Sequence, residues 1–134
     1  MIRIIAIGKL TSYEKDWINE YLTRLSNVEI IEIKEMGDIN KEGKKILELA
    51  KNFTLICLDE KGTQMDSISF SKVIKDRICF AIGGPDGLST EVKNNCSQII
   101  SFSKMTFTHH MIRLFLLEQI YRGNMINSNR KYHR

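Results

Sequence analysis

The stretch that decides the fold runs from Arg77 to Phe107, RICFAIGGPDGLSTEVKNNCSQIISFSKMTF. Arg77 to Gly83 is a β-rich run apolar enough for a central strand. It breaks at Gly83-Gly84-Pro85-Asp86-Gly87, where glycines permit close backbone approach and Pro85 suits the second position of a turn. Ser89 reads as a helix cap and Glu91 as a first-turn carboxylate, so Ser89 to Asn95 begins a helix. Gln98 to Ser103 is a further strand, followed by a loop at Ser103-Lys104-Met105-Thr106 flanked by Phe102 and Phe107.

Outward from this core, strands and helices alternate. Ile2 to Gly8, Val28 to Ile33 and Phe53 to Asp59 read as strands. Tyr13 to Leu25 carries Trp17, Ile18, Tyr21, Leu22 and Leu25 at helix spacing, with Ser12 as the expected N-cap. Lys41 to Lys51 is a polar helix with Ile46, Leu47, Leu49 and Ala50 as its buried stripe. Ser67 to Lys75 predicts a short helix, and His110 to Ile126 predicts the longest one. The pattern predicts one α/β domain over residues 1–134, with a mostly parallel sheet and helices on both faces. Ligands in such sheets bind at the carboxyl ends of strands. Three strand ends stand out: Leu58 to Gly62, Gly83 to Gly87, and Ser103 to Thr106.

Composition narrows the function classes. Ordinary charge and hydropathy exclude disordered and fibrous chains. No apolar run is long enough for a membrane span, and a cytoplasmic soluble protein is the expectation. Three widely spaced cysteines, Cys57, Cys79 and Cys96, suit a reducing compartment rather than a disulfide framework or a zinc site. The formal net charge is +4. From Lys104 onward six basic residues face the single acid Glu118, so the positive charge gathers at the C-terminus. A one-sided basic patch is a footprint for phosphates or nucleic acid, and equally describes a solvated tail.

Gly8-Lys9 is not a P-loop, because Leu10 follows and the upstream glycine is missing. No GxGxxG occurs, which removes support for a dinucleotide oxidoreductase. His109 and His110 are adjacent and point differently on a helix, so a two-ligand metal site is not expected. His133 sits among Tyr132, Arg130, Lys131 and Arg134, a phosphate-binding neighbourhood. A non-catalytic RNA-binding module with a vestigial pocket remains the competing reading.

Taken together, IGGPDGLS, SFSKMTF, His109-x-x-x-Arg113, LLEQIYR and the terminal YHR resemble the bacterial ribosomal RNA large subunit methyltransferase H family, a small single-domain group of SPOUT methyltransferases. The resemblance extends over the whole chain, including IRIIAIGK and LICLDEKG. It implies a parallel α/β sheet whose C-terminal part forms a deep trefoil knot. It also implies S-adenosylmethionine as cofactor, no metal, a homodimer, and methylation of N3 of a pseudouridine in 23S rRNA of the assembled ribosome. Carried over by position, the cofactor contacts fall on Leu58, Gly83, Phe102, Ser103, Lys104, Met105, Thr106 and Phe107. Tyr132 and His133 are the expected catalytic residues, with Tyr132 stacking on a base and His133 accepting the N3 proton. Arg113, Arg122, Arg130 and Arg134 are the expected RNA-binding residues. Thr108 stands where the family carries proline, and the segment between Ile33 and Lys41 is short beside longer relatives.

Overall fold

Period-two alternation in the strands sends each strand's side chains to two opposite cores. In the computed structural model, which describes residues 1–134, Ile2, Ile4 and Ala6 of β1 (Ile2–Ile7) face one way and Ile5 and Ile7 the other. β2 (Val28–Ile33), β3 (Thr54–Gln64), β4 (Ile78–Ile82) and β5 (Gln98–Ser101) complete the sheet. All pairs are parallel and the order is β2-β1-β4-β3-β5. Every residue of β4 is buried, as its uninterrupted apolar run requires of a central parallel strand.

Helices cover both faces. α1 (Ser12–Thr23), α3 (Ser67–Val73) and α5 (His109–Asn127) close one core with Ile18, Phe70, Leu116, Leu117 and Ile120. α2 (Ile39–Leu49) and α4 (Thr90–Asn95) close the other with Ile46, Ala50 and Val92. Each fully buried Leu or Ile contributes about 1.5–3 kcal/mol, so these two layers hold the sheet between them.

Several elements differ from expectation. Thr11, not Ser12, caps α1; the Glu14 carboxylate accepts from Thr11 N–H at 2.8 Å, the reciprocal half of a capping box. Trp17 lies outside the apolar stripe and is exposed, because Ile18 and Leu25 set the buried face of that helix. Asp38 starts α2 two residues early by accepting from Asn40 and Lys41 N–H. β3 runs past Asp59 to Gln64, since β5 pairs with it twice, before and after a register shift between Leu58 and Thr63. At that shift the chain passes so close to β5 that a Cβ on Gly62 would lie 2.7 Å from the Ile99 carbonyl. β5 stops at Ser101, whose hydroxyl donates to the Ser103 carbonyl and turns the chain out of the sheet.

Candidate functional site: two chambers sharing one wall

The carboxyl ends of β3, β4 and β5 open onto a cleft of about 750 Å³. Gly84 to Gly87 forms a turn closed by Gly87 N–H to Gly84 carbonyl at 3.0 Å, with Pro85 in the second position as expected. Gly83 packs against the far side of that turn; a Cβ there would lie 2.6 Å from the Gly87 carbonyl carbon. Only glycine fits this approach of two backbones.

Of the eight residues assigned to the cofactor from the resemblance, Leu58, Gly83, Phe102, Ser103, Met105, Thr106 and Phe107 line this one cleft, and Lys104 does not. The Glu60 carboxylate accepts from the Thr106 hydroxyl across the mouth. Asp59 on the wall holds Lys93 at 3.0 Å. Burial pushes the Asp59 pKa up, but the Lys61 N–H bond and Lys93 outweigh it and hold the carboxyl below its usual range.

Thr108 caps α5, its hydroxyl accepting from Met111 N–H at 3.3 Å, a bond that proline at this position has no side-chain oxygen to make. His109 and His110 then enter the cleft wall. Although adjacent on the helix, their rings meet edge to face with centroids 4.0 Å apart, and His110 Nδ1 lies 2.7 Å from Glu14. Burial, with His110 and Arg113 nearby, lowers the His109 pKa.

The structure corrects the placement of Arg113. Its side chain is 1% exposed, bonded to Glu32 at 2.7 Å and to the Gly8 carbonyl at 3.2 Å. One turn into α5, it faces the ends of β1 and β2, so its charge locks the helix to the sheet and cannot reach a phosphate. Its Nε is buried without a partner.

A second chamber of about 560 Å³ lies between α3 and α5 and shares Phe102, Ser103 and Phe107 with the first. Phe115, Asp66, Ser67, Glu118, Gln119 and His133 supply much of the rest. The chain after α5 doubles back, because Arg130 N–H bonds to the Met125 carbonyl and Tyr132 packs edge-on against Tyr121 at 4.9 Å. Glu118 is the hub. It accepts from Arg122 Nε at 3.1 Å, Arg122 NH2 at 3.0 Å, Tyr132 OH at 3.0 Å and Gln119 Nε2 at 2.9 Å. Arg122 NH1 lies 3.1 Å from His133 Nδ1, and the guanidinium covers the Tyr132 ring at 4.8 Å. Burial, then Glu118, pushes the Tyr132 phenol up to about 12. The Glu118 bond raises the Arg122 pKa further still.

Tyr132, His133 and Arg122 therefore come together, while Arg130 and Arg134 stay exposed beside them. Sequence reasoning missed Glu118, Gln119, Phe115 and Asp66. The Glu118–Arg122 spacing of four on a helix was a readable signal for an ion pair; nothing local marked the other three.

The chain matches the family model described as predicted SPOUT methyltransferase over residues 1–133. It is 43% identical to the ribosomal RNA large subunit methyltransferase H of Prochlorococcus marinus, covering 98% of this chain and 94% of that protein. It is 38% identical to the protein of the same name from Thermosipho melanesiensis, covering 98% of each. Among solved structures it resembles a probable methylase family protein from Haemophilus influenzae at a TM-score of 0.66 and 12% identity, over 99% of this chain and 70% of that one. It resembles the SpoU methyltransferase AviRb from Streptomyces viridochromogenes, solved in complex with AdoMet, at 0.54 and 11%, over 92% and 57%. The sheet order, the cleft at its carboxyl edge and this full-length similarity agree: the chain belongs to the SPOUT methyltransferases, in the ribosomal RNA large subunit methyltransferase H family.

Proposed function

We propose that this protein is an S-adenosylmethionine-dependent methyltransferase acting on N3 of a pseudouridine in 23S rRNA of the assembled ribosome, as a cytoplasmic homodimer. The observation that carries this reading is the pair of chambers with a common wall at Phe102, Ser103 and Phe107. Two substrates that exchange a group must meet across a short gap, and this arrangement brings them to one wall.

The first chamber fits the cofactor. Its strand ends and the Gly83–Gly87 turn leave backbone within reach of a ligand, and Leu58, Ile82, Ile100 and Phe102 supply apolar walls. Leu58, Gly83 and Phe102 to Phe107 would hold it, with Lys104 contributing backbone only. The bound cofactor supplies an electrophilic methyl on a sulfonium. What the chain does is orient: the Glu60–Thr106 contact ties the loop, and the Thr108 cap sets the angle at which α5 leaves it.

The second chamber takes the acceptor base. Phe107 and Phe115 meet edge to face with centroids 5.4 Å apart and offer an aromatic floor. Tyr132 and His133 serve the target nucleotide, Arg122 faces its polar edge, and the exposed Arg130 and Arg134 contact RNA phosphate. The deep trefoil knot rests on membership of the SPOUT family. Exposed Tyr13 and Trp17 on α1 support a homodimer contact on that helix.

Two measurements test the reading. Calorimetry with S-adenosylmethionine should show one tight site on the purified protein. Mass spectrometry of 23S rRNA from cells lacking the gene should show one methyl group missing from a pseudouridine-containing fragment. An unaltered rRNA mass alongside RNA binding would instead favour the non-catalytic module.

A further inference from the structure

The second chamber lacks a base. Glu118 already accepts four hydrogen bonds. Asp66 caps α3 through Ser69 N–H at 2.8 Å, a bond that holds its carboxyl below the usual range. Tyr132 keeps its proton, since its phenol is pushed up to about 12. His133 is the remaining candidate, and its partner decides what it can do. A guanidinium has only donors, so Arg122 NH1 at 3.1 Å can only donate to Nδ1. An imidazole whose Nδ1 accepts a bond carries its proton on Nε2.

We infer that Arg122 fixes His133 as the Nε2–H tautomer, so that His133 presents a hydrogen-bond donor to the acceptor base and stabilises an imide anion rather than removing its proton. This rests on the reading of the second chamber given above, and it reverses the direction of proton traffic expected for His133. Around His133 the Arg122 donor favours it, while the Glu118 and Asp66 carboxylates oppose negative charge, Glu118 being offset by its ion pair with Arg122. Arg122 and Glu118 face it from α5, Asp66 from the start of α3, and Tyr132 and Arg134 flank it in the chain. Glu118 anchors Arg122 through two bonds, so the guanidinium is held in place to donate.

The chemistry balances without a protein base. The N3–H bond of the imide breaks heterolytically and its electron pair stays on the ring, spread over N3 and the two flanking carbonyl oxygens. The proton passes to solvent water. His133 Nε2–H and the Arg122 charge stabilise the negative oxygen, as an oxyanion hole does. The nitrogen pair would then form the new N–C bond as the methyl–sulfur bond of a bound sulfonium breaks, that bond's electron pair returning to sulfur. A six-membered imide presents acceptor, donor, acceptor along one edge. Donors placed at that carbonyl, His133 Nε2–H with Arg122 behind it, select the ionised imide over cytosine-like rings, whose N3 carries no proton to lose.

The test begins without substrate. In the 15N-labelled full chain, long-range 1H–15N correlation should show His133 with a protonated Nε2 and an unprotonated Nδ1. Arg122→Met should relax the ratio toward that of a free histidine side chain, with Nδ1–H measurably populated; an unchanged ratio would mean that Arg122 does not set the tautomer. An Nδ1–H tautomer in the wild-type chain would overturn the inference. A second arm uses single-turnover methylation of ribosomes from a strain lacking the gene. The rate should rise about tenfold per pH unit through the neutral range and beyond, as expected when solvent takes the proton. His133→Gln, which can accept from Arg122 and still donate, should stay within about tenfold of wild type with the same slope. His133→Leu should lose about a hundredfold or more, the usual cost of deleting an oxyanion donor. A rate that levels off in the neutral range, with His133→Gln as inactive as His133→Leu, would overturn it. If the wild-type chain transfers no methyl group at all, the functional reading fails, and the spectrum still decides the tautomer.

Discussion

The two chambers meet at one wall but are built from different materials. The first is shaped by backbone: strand ends, a glycine turn and a loop tied by side chain to main chain, as where Met105 N–H donates to Ser103 Oγ at 2.9 Å, with apolar side chains as its walls. The second is made of side chains from the start of α3, the shared loop, α5 and the tail, with Glu118 on α5 as the common acceptor that ties Arg122 and Tyr132. The lesson is that the first chamber should tolerate most side-chain changes and fail when a Cβ intrudes. The second should tolerate little loss of charge or hydrogen bonding, yet leave the first intact.

The largest expected effect falls on the backbone chamber. Gly83→Val places a Cβ against the Gly87 carbonyl and should lower S-adenosylmethionine affinity about a hundredfold or more, read by calorimetry with circular dichroism as the fold control. Unchanged affinity would remove the turn from the cofactor site. Next comes deletion of Tyr132 to Arg134, which should cut methylation about a thousandfold while cofactor affinity stays within about twofold. Full activity of that truncation would dissolve the distinction between the chambers.

Glu118→Gln sharpens the comparison. It weakens the hold on both Arg122 and Tyr132, so turnover should fall about a hundredfold with cofactor affinity unchanged. Spectrophotometric titration should then show the Tyr132 phenol moving down from about 12 toward the ordinary value of roughly 10. A phenol that does not move would mean that burial alone sets it.

A smaller effect belongs to the wall of the first chamber at the start of α5. His109 takes a proton less readily folded than unfolded, because burial and the neighbouring His110 and Arg113 disfavour the cation. The unfolded chain then binds more protons, so this residue's contribution is complete above the ordinary histidine range of about 6.5 and is lost as pH falls below it. His109→Asn should flatten the drop in Tm between pH 7.5 and 5.5; an equally steep drop would place the acid sensitivity elsewhere. The smallest effect is Lys104→Ala, expected to change cofactor affinity by no more than about twofold, since its side chain does not line the cleft.

Much of this was legible beforehand. The apolar run of β4 announced a central strand, and it is one. The GGPDG turn announced close backbone approach, and Gly83 makes it. Ser89 caps α4 as its residue type and position suggested. Other features were not legible because they depend on partners distant in the chain. Arg113 looked like one more basic residue of a positive C-terminus, but its partners are Glu32 and Gly8, far away in sequence. Trp17 had the spacing of a core residue, but the register of α1 on α5 turned it outward.

Local chemistry is written into the sequence: hydrophobic period, capping residues, turn glycines and net charge act over a few residues, so they determined the elements, the two-faced parallel sheet and which strand ends would matter. Tertiary structure alone decided which charges are buried, that β3 meets β5 twice, and that the tail folds back to place His133 against Arg122. Those outcomes depend on distances between groups far apart in the chain, which packing sets and no local pattern encodes.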